Sequence, residues 1–175
     1  MSAYAEARVL LTGWPAPNPA QETLRAAYVA HLDAHPDGLL KSCFPDHLTA
    51  GALVVDGDRV LLNLHRKARR WFAFGGHIEP ADESLAAAAL REATEESGLT
   101  GLQLDPDPVH LSRHPVFFCD PRGPVRHLDV RFVARLGDRS ARPAASPESL
   151  EVRWWPADAL PTAEPDMVEL VSLAH

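Results

Sequence analysis

Hydrophobic positions along the chain change period near residue 48. Before it, Leu24, Ala27, Tyr28 and Leu32 share one face at helical spacing, which predicts a helix over Gln21 to His35. Pro36-Asp37-Gly38 ends that helix, and Gly13-Trp14-Pro15-Ala16-Pro17-Asn18-Pro19 before it is a turn-rich stretch. After Leu48, Ala50 to Val55 is apolar and partly β-branched. With the turn Asp56-Gly57-Asp58 and the run Arg59 to His65 it reads as a hairpin. Trp71-Phe72-Ala73-Phe74 is a short strand that runs into Gly75-Gly76. Asp82 to Ser97 returns to helical spacing, with Asp82 or Ser84 as N-cap, acidic residues in the first turn and Gly98 as C-cap. Val109 to Cys119 and Val125 to Leu136 predict two strands around Asp120-Pro121-Arg122-Gly123-Pro124. In the second, Leu128, Val130, Phe132 and Ala134 alternate with His127, Asp129, Arg131 and Val133, the pattern of a half-buried strand. Glu151 to Trp155 predicts a last strand, Pro156 to Leu160 one helical turn, and Asp166 to Ala174 a terminal helix. The stretches 105–108 and 137–149 read as loops.

Strands interspersed with few helices predict an α/β (α+β) sandwich. The boundary falls between an N-terminal extension, residues 1–47 with one helix packed on the body, and a main domain, residues 48–175. A length of 175 residues suits one domain, and 46% apolar with 23% charged residues is ordinary globular composition. The net charge of −7 argues against nucleic-acid binding through phosphate neutralisation. Cys43 and Cys119 stand far apart, in no metal-ligand spacing, and fit a reducing, cytoplasmic setting. No apolar run approaches the ~20 residues needed to span a bilayer, so no membrane partner is expected.

The helix ending at Ser97 carries the chemistry. Glu92, Glu95 and Glu96 stand at i, i+3 and i+4 and share one face, with Arg91 the one basic residue in the helix. A cluster of hard oxygen donors suits Mg²⁺ or Mn²⁺, and points to attack of activated water on phosphorus. Gly75-Gly76, between strand and helix, lets the backbone approach a metal or phosphate closely. Arg91 is placed to pair with a neighbouring glutamate or to fix the preceding loop. Arg66, Lys67, Arg69 and Arg70 open the strand leading to the glycines and are candidates for holding substrate phosphates, against the plainer reading of a solvated loop. His77 reads equally as a loop-fixing hydrogen bonder or a substrate contact. Glu79 in the loop, and Glu148 or Glu151 before the last strand, are further carboxylates able to face a metal. Cys43 and Cys119 read as plain thiols.

The run Gly76…Glu83…Arg91-Glu92-Ala93-Thr94-Glu95-Glu96-Ser97-Gly98-Leu99 resembles the Nudix box of the Nudix hydrolases. It fits from Glu83 to Leu99. It departs before Glu83, where six residues replace the usual five; Asp82 would keep that count but break the next, so Glu83 is taken as the match. The resemblance covers residues 48–162. It implies a Nudix-like α/β/α sandwich with a mixed sheet. It also implies divalent-metal-dependent cleavage of a pyrophosphate linkage in a nucleoside diphosphate derivative: a nucleoside triphosphate, ADP-ribose or a nucleotide sugar. Position by position, Glu92, Glu95 and Glu96 would hold the metal, one of them serving as general base. Gly75 would add its carbonyl, Arg91 would orient the glutamates, and Glu83 would sit in the outer shell. Two alternatives keep the fold: a sensor that binds such a nucleotide without turnover, and an isomerase of diphosphate substrates. The intact set of helix glutamates favours the hydrolase. The N-terminal extension makes a homodimer one expected state.

Overall fold

The computed structural model describes residues 1–137 and 140–175. Its elements are α1 (Ala3–Gly13), α2 (Pro19–Ala34), β1 (Asp46–Asp56), β2 (Arg59–His65), β3 (Trp71–Phe72), β4 (Phe74–His77), α3 (Leu85–Ser97), β5 (Leu102–Leu104), β6 (His110–Asp120), β7 (Gly123–Leu136), β8 (Ser149–Pro156) and α4 (Pro165–Ala174). The strands form one eight-stranded mixed sheet in which β1 lies between β2 and β7. β1 and β7 run parallel, and every other pairing is antiparallel.

β1 is buried along nearly its whole length, as expected of a central strand covered on both faces. Leu48, Ala50, Ala52 and Val54, with Leu128, Val130 and Phe132 of β7, pack against Ala7, Leu11, Tyr28, Leu32 and the alanines of α3. On the opposite face Leu53, Val55 and Val133 meet Met167, Leu170 and Val171 of α4. The result is an α/β/α sandwich. The second face is divided: its other half carries the buried polar groups His47, Thr49 and Arg131 instead of an apolar layer. Asp129 lies there too, accepting from Thr49 and Arg131, so the polar side of β7 is not the wet face its alternation predicted.

Three further differences from the sequence pattern have local causes. The extension holds two helices. α1 buries only Ala7 and Leu11, too short an apolar stripe to stand out, and is started by the Ser2 side chain accepting from the Ala5 N–H. β5 is a three-residue edge strand on β7, just before the 105–108 loop, where the sequence pattern assigned no element. Residues 157–159 form a turn, closed by the Ala159 N–H on the Pro156 carbonyl, in place of a helical turn.

β4 is held to β1 by an unusually close approach. Gly51 pairs with Gly75, and a Cβ on Gly51 would lie 2.4 Å from the Phe74 carbonyl oxygen. A Cβ on Gly75 would lie 2.8 Å from the Gly51 Cα. Gly51→Ala must therefore push two backbones apart. The expected cost is about 3 kcal/mol, read as a fall in melting temperature of roughly 6–12 °C.

Candidate active site

α3 delivers the acidic face. Ser84 caps it by accepting from the Ala87 N–H, and Gly98 closes it in the left-handed conformation with φ 67°. Leu85, Ala88, Ala89 and Ala93 line the side against the sheet, and the small volume of the three alanines brings the helix close to β1 and β4. Glu96 falls on that same side and is only 8% exposed. Its Oε2 accepts from the Gly75 N–H at 3.0 Å. Glu92 lies over Gly76, where a Cβ would come within 2.6 Å of Glu92 Oε1. The two glycines thus have separate roles: Gly75 offers an N–H and fits against Gly51, and Gly76 leaves room for a carboxylate.

Arg91 ties the preceding loop to this face. Its Nε and Nη2 donate to Asp82 at 3.0 and 2.9 Å, and Nη2 also donates to the His77 carbonyl at 2.9 Å. Its Nη1 donates to Glu92 at 2.9 Å and to Glu95 at 3.4 Å, and Glu79 stands 3.9 Å away. Both roles open in the sequence, pairing with a glutamate and fixing the loop, are filled by one guanidinium. Asp82, not Glu83, is the loop carboxylate on it. α3 starts at Leu85, so both residues precede the helix and its first turn carries no acid. Asp82 is 7% exposed while Glu83 points to solvent. Burial alone would raise the Asp82 carboxyl, but Arg91 and the Glu79 N–H pull it below its ordinary value.

Glu92 and Glu96 move the other way. Burial raises the Glu92 carboxyl, and the Arg91 charge only partly offsets it. Burial drives Glu96 up to about 7, against the Gly75 hydrogen bond, with Glu92, Glu148 and Glu95 adding repulsion. Glu95 is 62% exposed at the rim. Among the described residues no basic side chain meets Glu96, and the Arg91 fork is already shared with Asp82. An under-neutralised set of carboxylate oxygens of this kind fits a small hard divalent cation.

Residues 45–173 match the NUDIX domain.

The chain belongs to the Nudix family.

Its fold is similar to that of a NUDIX-family hydrolase from Clostridium perfringens, 25% identical, with 73% of this chain and 95% of that one covered at a TM-score of 0.58. It is also similar to the E. coli dihydroneopterin triphosphate pyrophosphohydrolase, 19% identical, covering 73% and 94% at a TM-score of 0.56. An ADP-ribose pyrophosphatase from Streptococcus suis is 20% identical, covering 73% and 87% at a TM-score of 0.53. No curated protein matches the sequence. The protein is a Nudix-type hydrolase, and α3 is its Nudix helix.

Around the Nudix helix the remaining predicted residues separate. Arg66 is not directed to a phosphate: its side chain donates to the carbonyls of Pro147 at 2.9 Å and Ser149 at 3.3 Å, and its N–H to that of Glu148. It thereby holds the loop that brings the Glu148 charge to Glu92 and Glu96. Arg70 is paired with Glu164 beside α4. Arg69 and Lys67 are exposed, with Arg69 in a left-handed turn at φ 57°. Lys67 lies 5.7 Å from the ring of Phe118, which is 52% exposed and stacks on His65 at 5.8 Å. The His77 backbone is part of the Arg91 loop, but its ring faces Cys119, with Nε2 3.3 Å from Sγ. No partner for Cys119 was read from the sequence pattern, and its neighbours His77 and His127 come from two other strands. No described helix is long and apolar enough to cross a membrane.

Proposed function

We propose that this Nudix enzyme cleaves the pyrophosphate linkage of a nucleoside diphosphate derivative by water attack on phosphorus, with Mg²⁺ or Mn²⁺ held by Glu92, Glu95 and Glu96. The observation that carries this reading is the buried Glu96, raised to about 7 beside Glu92 and Glu148 with no basic partner among the described residues. Such a site costs stability unless a cation occupies it. The donor set is all oxygen, and the Gly75 carbonyl would join it. When bound, the ion supplies charge neutralisation at the diphosphate and acidifies the attacking water. Arg91 keeps Glu92 and Glu95 facing the same point, and Asp82 anchors Arg91 in the outer position expected of Glu83. One of the helix glutamates takes the proton from the water. Glu79, at the edge of the Arg91 network, extends the acidic rim. Arg69 and Lys67 are the exposed cations on the approach and would meet the phosphates. Phe118 offers a ring face to a nucleobase. The panel to try holds nucleoside triphosphates, ADP-ribose and nucleotide sugars, and the names of two structural neighbours carry ADP-ribose and dihydroneopterin triphosphate.

The test is release of nucleotide or phosphate from that panel with Mg²⁺, with Mn²⁺ and with chelator. One class should turn over with metal and stop with chelator. Binding of a panel member with metal, seen as a raised melting temperature without turnover, would instead support a nucleotide sensor. Turnover unaffected by chelator would refute the metal assignment.

A further inference from the structure

Four side chains from four strands converge beside the Nudix site without belonging to it. The ligand atoms of His47 on β1, His77 on β4, Cys119 on β6 and His127 on β7 all lie within 4.8 Å of one another. Register produces this. The parallel pairing of β1 with β7 sets His47 opposite His127, and the antiparallel pairing with β4 sets His77 opposite Thr49, two residues along the same face of β1. The irregularity of β6 between Val116 and Asp120 places Cys119 over the three rings. His47 lies 5.2 Å from His77 and 5.0 Å from His127, ring centre to ring centre.

The hydrogen bonding inside the cluster is incomplete. His77 Nε2 and His127 Nε2 approach the same sulfur, at 3.3 and 3.4 Å. A thiol has one proton and is a weak partner for either. His47 Nδ1 meets the Cys43 carbonyl at 3.1 Å, which makes it the protonated nitrogen and leaves a lone pair on Nε2. That Nε2 is buried without a hydrogen-bond partner. A ring fixed by a carbonyl on one nitrogen and left open on the other is the usual state of a metal-binding imidazole.

We propose that His47, His77, Cys119 and His127 form a His₃Cys site for zinc, separate from the glutamate site. A tetrahedral zinc with bonds of about 2.3 Å to sulfur and 2.05 Å to nitrogen separates those ligand atoms by about 3.6 Å. The observed S···N distances of 3.3 and 3.4 Å need only a small expansion. Three imidazoles and a thiolate select a borderline-soft ion and reject Mg²⁺, whereas Glu92, Glu95 and Glu96 do the reverse. The Lys41 charge bears on Cys119 and His77, and Asp120 and Asp129 bear on the cluster with the opposite sign. Four protein ligands close the coordination sphere, which makes the zinc a structural ion and not a second catalytic one. It would clamp β4 to β6 and β7 one residue beyond Gly75-Gly76, where the His77 carbonyl holds Arg91.

The experiment is titration of the metal-stripped 175-residue chain with Co²⁺, followed by displacement with Zn²⁺ against a chromophoric chelator. One Co²⁺ per chain should bind with a thiolate-to-cobalt charge-transfer band and intense tetrahedral d–d bands, and Zn²⁺ should remove both. Cys119→Ser should lose the charge-transfer band and weaken Zn²⁺ binding at least about 100-fold. His127→Gln, which keeps the sulfur, should weaken binding while retaining the band at high Co²⁺. A wild-type spectrum with only the weak bands of an oxygen-ligated octahedral ion would place the metal at the glutamates and overturn the proposal. So would an unchanged Zn²⁺ affinity in folded Cys119→Ser.

Discussion

Glu96→Gln is expected to reduce hydrolysis by about 10²–10³-fold while making the metal-free protein more stable at neutral pH. The loss of activity follows from replacing one anionic donor of the site by a neutral amide of the same shape. The gain in stability follows from linkage. The carboxyl moves from its ordinary 4.5 to about 7 on folding, so the folded state resists ionising it. Below pH 4.5 it is protonated in both states and costs nothing. Between pH 4.5 and 7 the unfolded chain ionises first and is favoured. Above pH 7 the full cost stands at about 3 kcal/mol for this shift. Metal-free wild type should therefore lose stability as pH rises through that window, and the variant should lose less. Melting curves in chelator across pH 4 to 8 check this. Parallel curves for the two proteins would show that Glu96 ionises freely in the fold. Added Mg²⁺ should stabilise wild type more at pH 8 than at pH 5, because binding displaces a proton only in the acid range.

The second large effect is at Arg91. Arg91→Met removes the only cation meeting Asp82 among the described residues and also the donors to Glu92, Glu95 and the His77 carbonyl. Leaving Asp82 buried without its partner should cost about 3 kcal/mol, and misplacing Glu92 and Glu95 should lower turnover by about 10²-fold. Arg91→Lys is the informative control. Lysine keeps the charge but has no planar fork, so it cannot serve the loop and the helix together. It should recover part of the stability and little of the activity. Asp82→Asn should be destabilising and should couple strongly to Arg91→Met in a double-mutant cycle. Glu83→Gln should leave the melting temperature unchanged. If Glu83→Gln destabilises and Asp82→Asn does not, the assignment of the loop carboxylate is reversed.

Legibility in the sequence tracked the range of the interactions. The Nudix helix, its face of glutamates and Arg91 are encoded within a few turns of one helix, where spacing fixes geometry. The glycines before it and the alternation of β7 were readable for the same reason. Asp82 and Glu83 adjoin, and a count of residues cannot tell which one turns inward; the Arg91 hydrogen bonds do. The clustered charges of the basic loop left a solvated loop and a phosphate contact both open, and neither reading foresaw that Arg66 and Arg70 are bound to residues 147–149 and Glu164. The histidine–cysteine cluster left no trace in the sequence pattern. Its members come from positions 47, 77, 119 and 127, and only the register of four strands brings them together.

The parallel pairing of β1 with β7 also sets the order in which the chain can become a protein. From Asp46 to Val55 each residue of β1 meets a partner about 80 residues further on, as Asp46 and Arg126 do. During synthesis the β1–β2 hairpin and the β1–β4 pairing can close early, since their loops are short. The other edge of β1 must wait for residues 126–135 to leave the ribosome. Until then a strand reading Ala-Leu-Val-Val presents an open, apolar edge. Closing so long a loop makes this step slow compared with local contacts. Nascent chains that stall before β7 should therefore be prone to aggregation, and fragments that end before it should not fold into a smaller working unit.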